Sequence, residues 1–276
     1  MKITNIKELE SKANQIRQEI VKQIYFAKSG HPGGSLSIAD IIAVLYFNEL
    51  NIDEKNPKWE VRDRFVLSKG HCVTALYAAL ALRGFFEIEE LHKFRKIDGI
   101  LQGHPDMKKV PGVDMSTGSL GQGISSAVGM AMAGKMDNKG YRVYTIVGDG
   151  EIEEGEVWEA AMSAAKYKLD NLCVIVDNNN LQIDGTIEQV MSPYPIDEKF
   201  KSFGFEVLTI DGNKIEEIIK AFEKAKTIKN KPTCIIAKTT KGKGISFMEN
   251  KAEWHGKAPN EDEYNQAMLE VNNLWI

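Results

Sequence analysis

The sequence predicts an α/β fold: a parallel sheet with helices on both faces. Three observations carry this. Short runs rich in branched apolar residues, at 64–68, 142–147, 172–177, 206–210 and 233–237, have the length and composition of buried strands. Segments of helical periodicity lie between several of them. The clearest unit is strand 142–147, helix 157–167 and strand 172–177, a βαβ order that implies parallel pairing.

The elements follow in order. Ile6, Leu9, Ala13, Ile16, Ile20, Ile24 and Ala27 recur at steps of three and four, so they share one helix face, and Gly30 is placed to end that helix. A second helix is expected from Ser37, where Ser37 and Asp40 form a capping-box-like pair before the apolar run 41–47. Strand 64–68 leads to a helix over 73–82. Residues 86–110 are polar and irregular, with one short helix. A glycine-rich loop, 118–123, opens an Ala- and Gly-rich helix to about Lys135, whose small side chains let other backbones approach closely. A helix over 215–226 joins the last two strands. The expected organisation is one domain over 1–256 with an N-terminal helical arm. A polar tail follows over 257–276, with a short helix ending near Leu274.

Composition narrows the function classes. The chain has 276 residues, 35 Lys and Arg against 39 Asp and Glu, and a net charge of -4. With 43% hydrophobic and 27% charged residues it reads as a soluble globular protein. The mild acidity speaks against a nucleic-acid partner. No run approaches the roughly 20 apolar residues of a membrane span. Cys72, Cys173 and Cys234 are odd in number and far apart. They read as reduced thiols of a cytoplasmic protein, not as disulfides or a zinc site.

Four of the five histidines stand beside glycine: His31, His71, His104 and His255. Any one alone reads as a loop residue. Their shared context at predicted element ends marks them as a set. A second cluster is Gly148-Asp149-Gly150, directly after a predicted strand, with Asn178-Asn179 ending the next. Between Gly150 and Asn178 lie residues 151 to 177, which is 27 residues, enough for a helix, two loops and a return strand. A right-handed crossover carries both strand ends to one sheet edge. Asp149 and Asn179 could there reach one ion, and such hard oxygen ligands suit Mg2+ or Ca2+. The alternative is that the Asp and Asn residues simply form turns. Glu151, Glu153 and Glu154 crowd the following helix start and would repel a bare phosphate. A divalent cation facing this acidic group and bridging to a diphosphate resolves the conflict. Nucleotide-loop readings fit less well. No G-x-x-x-x-G-K-[ST] run occurs, and Gly118, Gly121 and Gly123 have the wrong order for G-x-G-x-x-G.

Gly148-Asp149-Gly150 with Asn178-Asn179 resembles the thiamine diphosphate-binding motif. Further phrases sharpen the resemblance to transketolase: GHPGGSLS (30–37), SKGH (68–71), GHP (103–105), TGSLGQG (117–123), KTTKGKG (238–244) and WHGKAP (254–259). The resemblance spans about residues 10–260. It implies the thiamine diphosphate-binding fold, specifically its diphosphate-binding domain. It also implies that Mg2+, with Ca2+ as a substitute, is held by Asp149, Asn179 and the main-chain oxygen of Leu181. His71, His255 and the Gly150 amide would meet the diphosphate, Gly118 and Leu120 the aminopyrimidine, and Ile183 the cofactor body. Glu154, grouped with the cofactor-binding residues, and Glu159 match glutamates near the family's subunit interface. His31, His71, His104 and His255 would line the substrate channel as catalytic residues, since histidine moves protons near neutral pH.

The resemblance also implies what lies elsewhere. No second βαβ set is legible that could supply the family's cofactor-activating glutamate or its phosphate-binding arginines. The expectation is therefore the N-terminal subunit of a two-chain transketolase. It would move a two-carbon ketol unit between sugar phosphates, and be active only with a C-terminal partner subunit carrying the pyrimidine-binding domain, as a dimer of heterodimers. A deoxyxylulose phosphate synthase-like enzyme and a 2-oxo acid dehydrogenase α-like subunit are the related alternatives; GHPGGSLS and WHGKAP favour transketolase. A non-catalytic binding or regulatory protein is the alternative of another class. Chemically competent residues at every motif position argue against it.

Overall fold

The computed structural model describes residues 2–273. In chain order the helices and strands are α1 (Ile6–Ala27), α2 (Pro32–Ser37), α3 (Ala39–Val44), β1 (Arg64–Leu67), α4 (Val73–Arg83) and α5 (Gln122–Met136). Then come β2 (Val143–Gly148), α6 (Gly155–Lys166), β3 (Leu172–Asn178), α7 (Ile187–Val190) and α8 (Ile196–Ser202). β4 (Glu206–Asp211), α9 (Ile215–Thr227), β5 (Thr233–Lys238) and α10 (Glu261–Asn273) complete the order.

The five strands form one parallel sheet in the order β1-β2-β3-β5-β4. Alternation along the strands sorts the core into two layers. Tyr144 and Ile146 of β2 and Cys173 and Ile175 of β3 face a layer built with α1, α3, α4, α9 and α10. Val143, Val147, Leu172, Val174 and Val176 face the opposite layer, built with α5, α6 and α8. Both faces are thus buried, which explains strands that read as largely apolar runs. Handedness accounts for the split. The step from β2 to β3 and the step from β4 to β5 run in opposite directions across the sheet. Right-handed crossovers therefore put α6 and α9 on opposite faces.

Small residues set one close approach. A Cβ added to Gly123, near the start of α5, would lie 2.6 Å from Cα of Ser68. The α5 start therefore sits directly on the loop leaving β1, as the Gly-rich composition anticipated.

Two expectations need correction or extension. Ser37 is not a helix start. It closes α2, and its hydroxyl donates to the Asp177 carboxylate while lying 2.9 Å from Gly34 O. Asp40 instead pairs with Arg17 of α1 and accepts from Asn213. A buried ion pair and a buried hydroxyl claimed both side chains, so the local capping pattern lost. The segment after residue 256 carries α10, whose Ala267 and Val271 are buried. Tyr264 stacks on Tyr25 of α1 at 4.0 Å between ring centroids, so α10 shares the α1 layer. Leu274, the expected helix end, lies outside the described residues. Among the described residues no helix is long and apolar enough to cross a membrane.

Candidate active site

Parallel strands deliver their carboxyl ends to one edge, and four of the five do so around a single cavity. β1 ends in Ser68-Lys69-Gly70-His71, β2 in Gly148-Asp149-Gly150, β3 in Asn178-Asn179 and β5 in Lys238 to Lys241. Gly148 stands opposite Asp177 in register, and Asn178 opposite Lys238. Lys69, His71, Asp149, Gly150, Asn179, Leu181, Lys241 and His255 line the cavity, with Leu120 and Ile183 also on its wall.

Asp149 is 2% exposed. Its Oδ1 accepts from the Gly150 amide at 3.0 Å. Its Oδ2 accepts from the Asn180 amide at 2.6 Å and from Asn178 Nδ2 at 3.1 Å. Burial, with Asp177 nearby, pushes its carboxyl up to about 6. Asn180 has φ of 65°, a left-handed conformation that asparagine tolerates. It bends the loop so that Asn179 and Leu181 face the cavity that Asp149 lines. Asn179 Oδ1 accepts from the Leu181 amide at 3.1 Å.

This donor set fits a hard cation with a bound anion. It offers one carboxylate, one amide oxygen and one carbonyl. Among the described residues no group of three or more His, Cys, Asp or Glu side chains could hold a metal alone. A Mg2+ here needs further oxygens, and a diphosphate brings them. The cavity also holds groups that suit the anion. Lys241 Nζ donates to Leu181 O at 3.0 Å and stands 3.1 Å from His255 Nδ1. Burial, then the nearby Lys69, lowers the Lys241 ammonium to about 8. His31, His71 and His255 form a triangle with ring centroids 5.1 to 5.5 Å apart. Burial lowers His31 and His71 to about 4 and His255 to about 3, and neighbouring cationic groups add to the effect in each. Lys69, Lys241 and the histidine rings give this part of the cavity donors for an anion. His31 Nδ1 is buried without a hydrogen-bond partner, and His31 is not among the residues lining the cavity.

Not every expected residue lines this cavity. His104 is exposed, and its ring lies against Gly118, where an added Cβ would come within 2.9 Å of Cδ2. Partial burial of the ring against Gly118, then Arg95 and His71, lowers the His104 imidazole. Glu154 is exposed at the α6 N-terminus and contacts the Gly121 position instead. Glu159 is exposed on α6. The carboxylates of 149–154 divide: Asp149 and Glu151 line the cavity, whereas Glu153 and Glu154 do not. Glu151 turns inward, accepting from Ser68 Oγ at 2.5 Å, Gly121 N at 3.0 Å and Gly148 N at 2.9 Å. It ties three loops together, because three orphaned donors converge there. Glu153 accepts from Gln182 Nε2.

Two residues of the cavity do not stand out in the sequence. Lys69 and Lys241 lie inside the phrases SKGH and KTTKGKG, yet both are almost fully buried. The only signal is their position at strand ends beside glycine, and lysine is rarely buried without purpose.

A parallel α/β domain whose carboxyl edge gathers oxygen acceptors, lysines and histidines around one cavity has the layout of a ligand-binding α/β domain. Residues 9–271 match the family model described as transketolase, thiamine diphosphate binding domain, and the chain belongs to that family. It is 44% identical over 267 residues to one of the subunits of the apulose-4-phosphate transketolase of Phocaeicola vulgatus, covering 97% of this chain and 95% of that one. It is 46% identical over 264 residues to the 6-deoxy-6-sulfo-D-fructose transketolase subunit SqwG of a Clostridium species, covering 96% of each. The fold superposes on a solved transketolase of Campylobacter jejuni with a TM-score of 0.92 at 38% identity, covering 98% of this chain and 43% of that one.

Proposed function

We propose that this chain is the diphosphate-binding subunit of a two-chain transketolase. Asp149, Asn179 Oδ1 and Leu181 O would hold Mg2+. Lys241, His71, His255 and the Gly150 amide would receive the diphosphate, with Lys69 behind them. Thiamine diphosphate, when bound, would supply the carbanion and electron sink for cleaving and remaking a carbon–carbon bond beside a sugar carbonyl. His31, His71, His104 and His255 would orient hydroxyls and carry protons. Neutral imidazoles suit that work, since each ring offers one donor and one acceptor. Their lowered proton affinity keeps them neutral at physiological pH.

The observation that carries the reading is the pairing of Asp149, Asn179 and Leu181 with Lys241 and His255 around one cavity. The two-chain arrangement draws support from relatives called subunits that match end to end, whereas a solved transketolase is matched over 43% of its length. Leu120 is 37% and Ile183 66% exposed at the cavity wall, apolar surface fit to be covered by cofactor and a partner subunit. We read the assembly as a dimer of heterodimers acting on sugar phosphates. The three buried free thiols suit the cytoplasm. The test is Asp149→Ala in the assembled enzyme, read by thiamine diphosphate titration at fixed Mg2+. Cofactor affinity is expected to fall at least tenfold. Unchanged Mg2+-dependent binding would remove the metal assignment.

A further inference from the structure

We propose that Asp177, clamped by Lys69, is a positioning residue that fixes which atom of the Asn179 amide faces the cation; the proposal rests on the metal site put forward above. A carboxamide presents oxygen on one side and nitrogen on the other with nearly the same shape. A cation accepts only the oxygen. Something must therefore choose the orientation, and two neighbours of Asn179 do so: the Leu181 amide donates to Oδ1, and Asp177 accepts from Nδ2.

Asp177 is 0% exposed and belongs to the end of β3. Its carboxylate gathers donors from four segments. Ser37 Oγ donates to Oδ2 at 2.7 Å, and Asn179 Nδ2 donates to Oδ2 at 2.9 Å. Lys69 Nζ also donates to Oδ2, and Thr239 Oγ1 donates to Oδ1. An ionised carboxylate accepts and cannot donate. Facing it, the Asn179 amide must present Nδ2, which turns Oδ1 to the other side, where the Leu181 amide already takes one lone pair. Lys69 supplies the charge that keeps Asp177 an acceptor, both side chains being buried. Asp177 does not line the cavity itself, so its influence runs through Asn179.

The test uses Mn2+ as a spectroscopic stand-in for Mg2+ in the assembled enzyme with thiamine diphosphate, read by electron paramagnetic resonance titration. Asp177→Asn replaces an obligate acceptor by a group that can donate, so Asn179 can flip. Mn2+ affinity is expected to fall about ten- to a hundredfold, the usual effect of losing an outer-shell partner. The double variant Asp177→Asn with Asn179→Asp offers oxygen on both sides of residue 179 and restores a carboxylate near Lys69. It is expected to recover most of the loss, which a merely destabilised fold would not. Thr239→Val removes one donor of the clamp and leaves the ion pair. It is expected to lower Mn2+ affinity in the same direction but less, and it serves if Asp177→Asn does not fold. Wild-type affinity in Asp177→Asn or Thr239→Val, or a double variant no better than the single one, overturns the proposal. A wild-type enzyme that holds no Mn2+ overturns the cofactor reading itself, and this proposal with it.

Discussion

The ammonium of Lys241 stands 3.1 Å from Nδ1 of His255. An ammonium only donates, so Nδ1 must accept and the ring proton sits on Nε2. One lysine thus adds positive charge to the anion site and sets the tautomer of a proposed catalytic histidine. Lys241→Met should remove both effects. A hydrogen bond to a charged group contributes about 1.5–3 kcal/mol, so thiamine diphosphate affinity should fall roughly ten- to a hundredfold. Calorimetric titration of the assembled enzyme checks this. Binding of thiamine without its diphosphate should change little, and an equal loss for both ligands would speak against the diphosphate role.

The histidine triangle carries a pH signature. Unfolded imidazoles titrate near about 6.5. In the fold His255 is held down to about 3 by burial, then by Lys241 and the neighbouring histidines. The unfolded chain therefore binds more protons across that window. Its contribution to stability is complete above about 6.5 and is lost as pH falls toward the folded value. Asp149, raised to about 6, works in the opposite sense between about 4 and 6. The comparison should therefore be made between variants. Cofactor-free His255→Gln should lose less denaturant stability than the parent as pH falls from 6.5 to 5. Parallel stability curves would show that His255 is not held neutral by the fold.

Lys69 and Asp177 form an ion pair with side chains 2% and 0% exposed. Replacing both by apolar groups need cost little, but removing one strands a charge, typically at about 3–5 kcal/mol. Lys69→Met should therefore destabilise the chain by about that much in urea unfolding. A loss within about 0.5 kcal/mol of the parent, the ordinary range for surface changes, would show that solvent reaches Asp177.

Much of this architecture was legible because it follows from local pattern. Val143 to Val147 and Leu172 to Val176 are buried on both faces, so the strands read as largely apolar runs, with Thr145 the one polar residue. The 27 residues between Gly150 and Asn178 announced the βαβ unit that brings Asp149 near Asn179. Long-range partners were hidden. Nothing near Ser37 reveals that its hydroxyl binds Asp177, 140 positions away. Glu151 lines the cavity with Asp149, but its acidic neighbours do not reveal that Ser68, Gly121 and Gly148 hold its carboxylate. The short α7 and α8 were also missed. They are four and seven residues long, too brief for periodicity to speak.

The central claim is that this chain holds the diphosphate end of a ketol-transferring site completed by a partner subunit. The direct measurement is a reconstitution assay with thiamine diphosphate, Mg2+ and a ketose phosphate donor, following the new ketose and the released aldose phosphate. The expected result is no transfer by this chain alone and transfer once the partner subunit is added. Full turnover by the chain alone would contradict the claim, as would a paired assembly that binds no thiamine diphosphate.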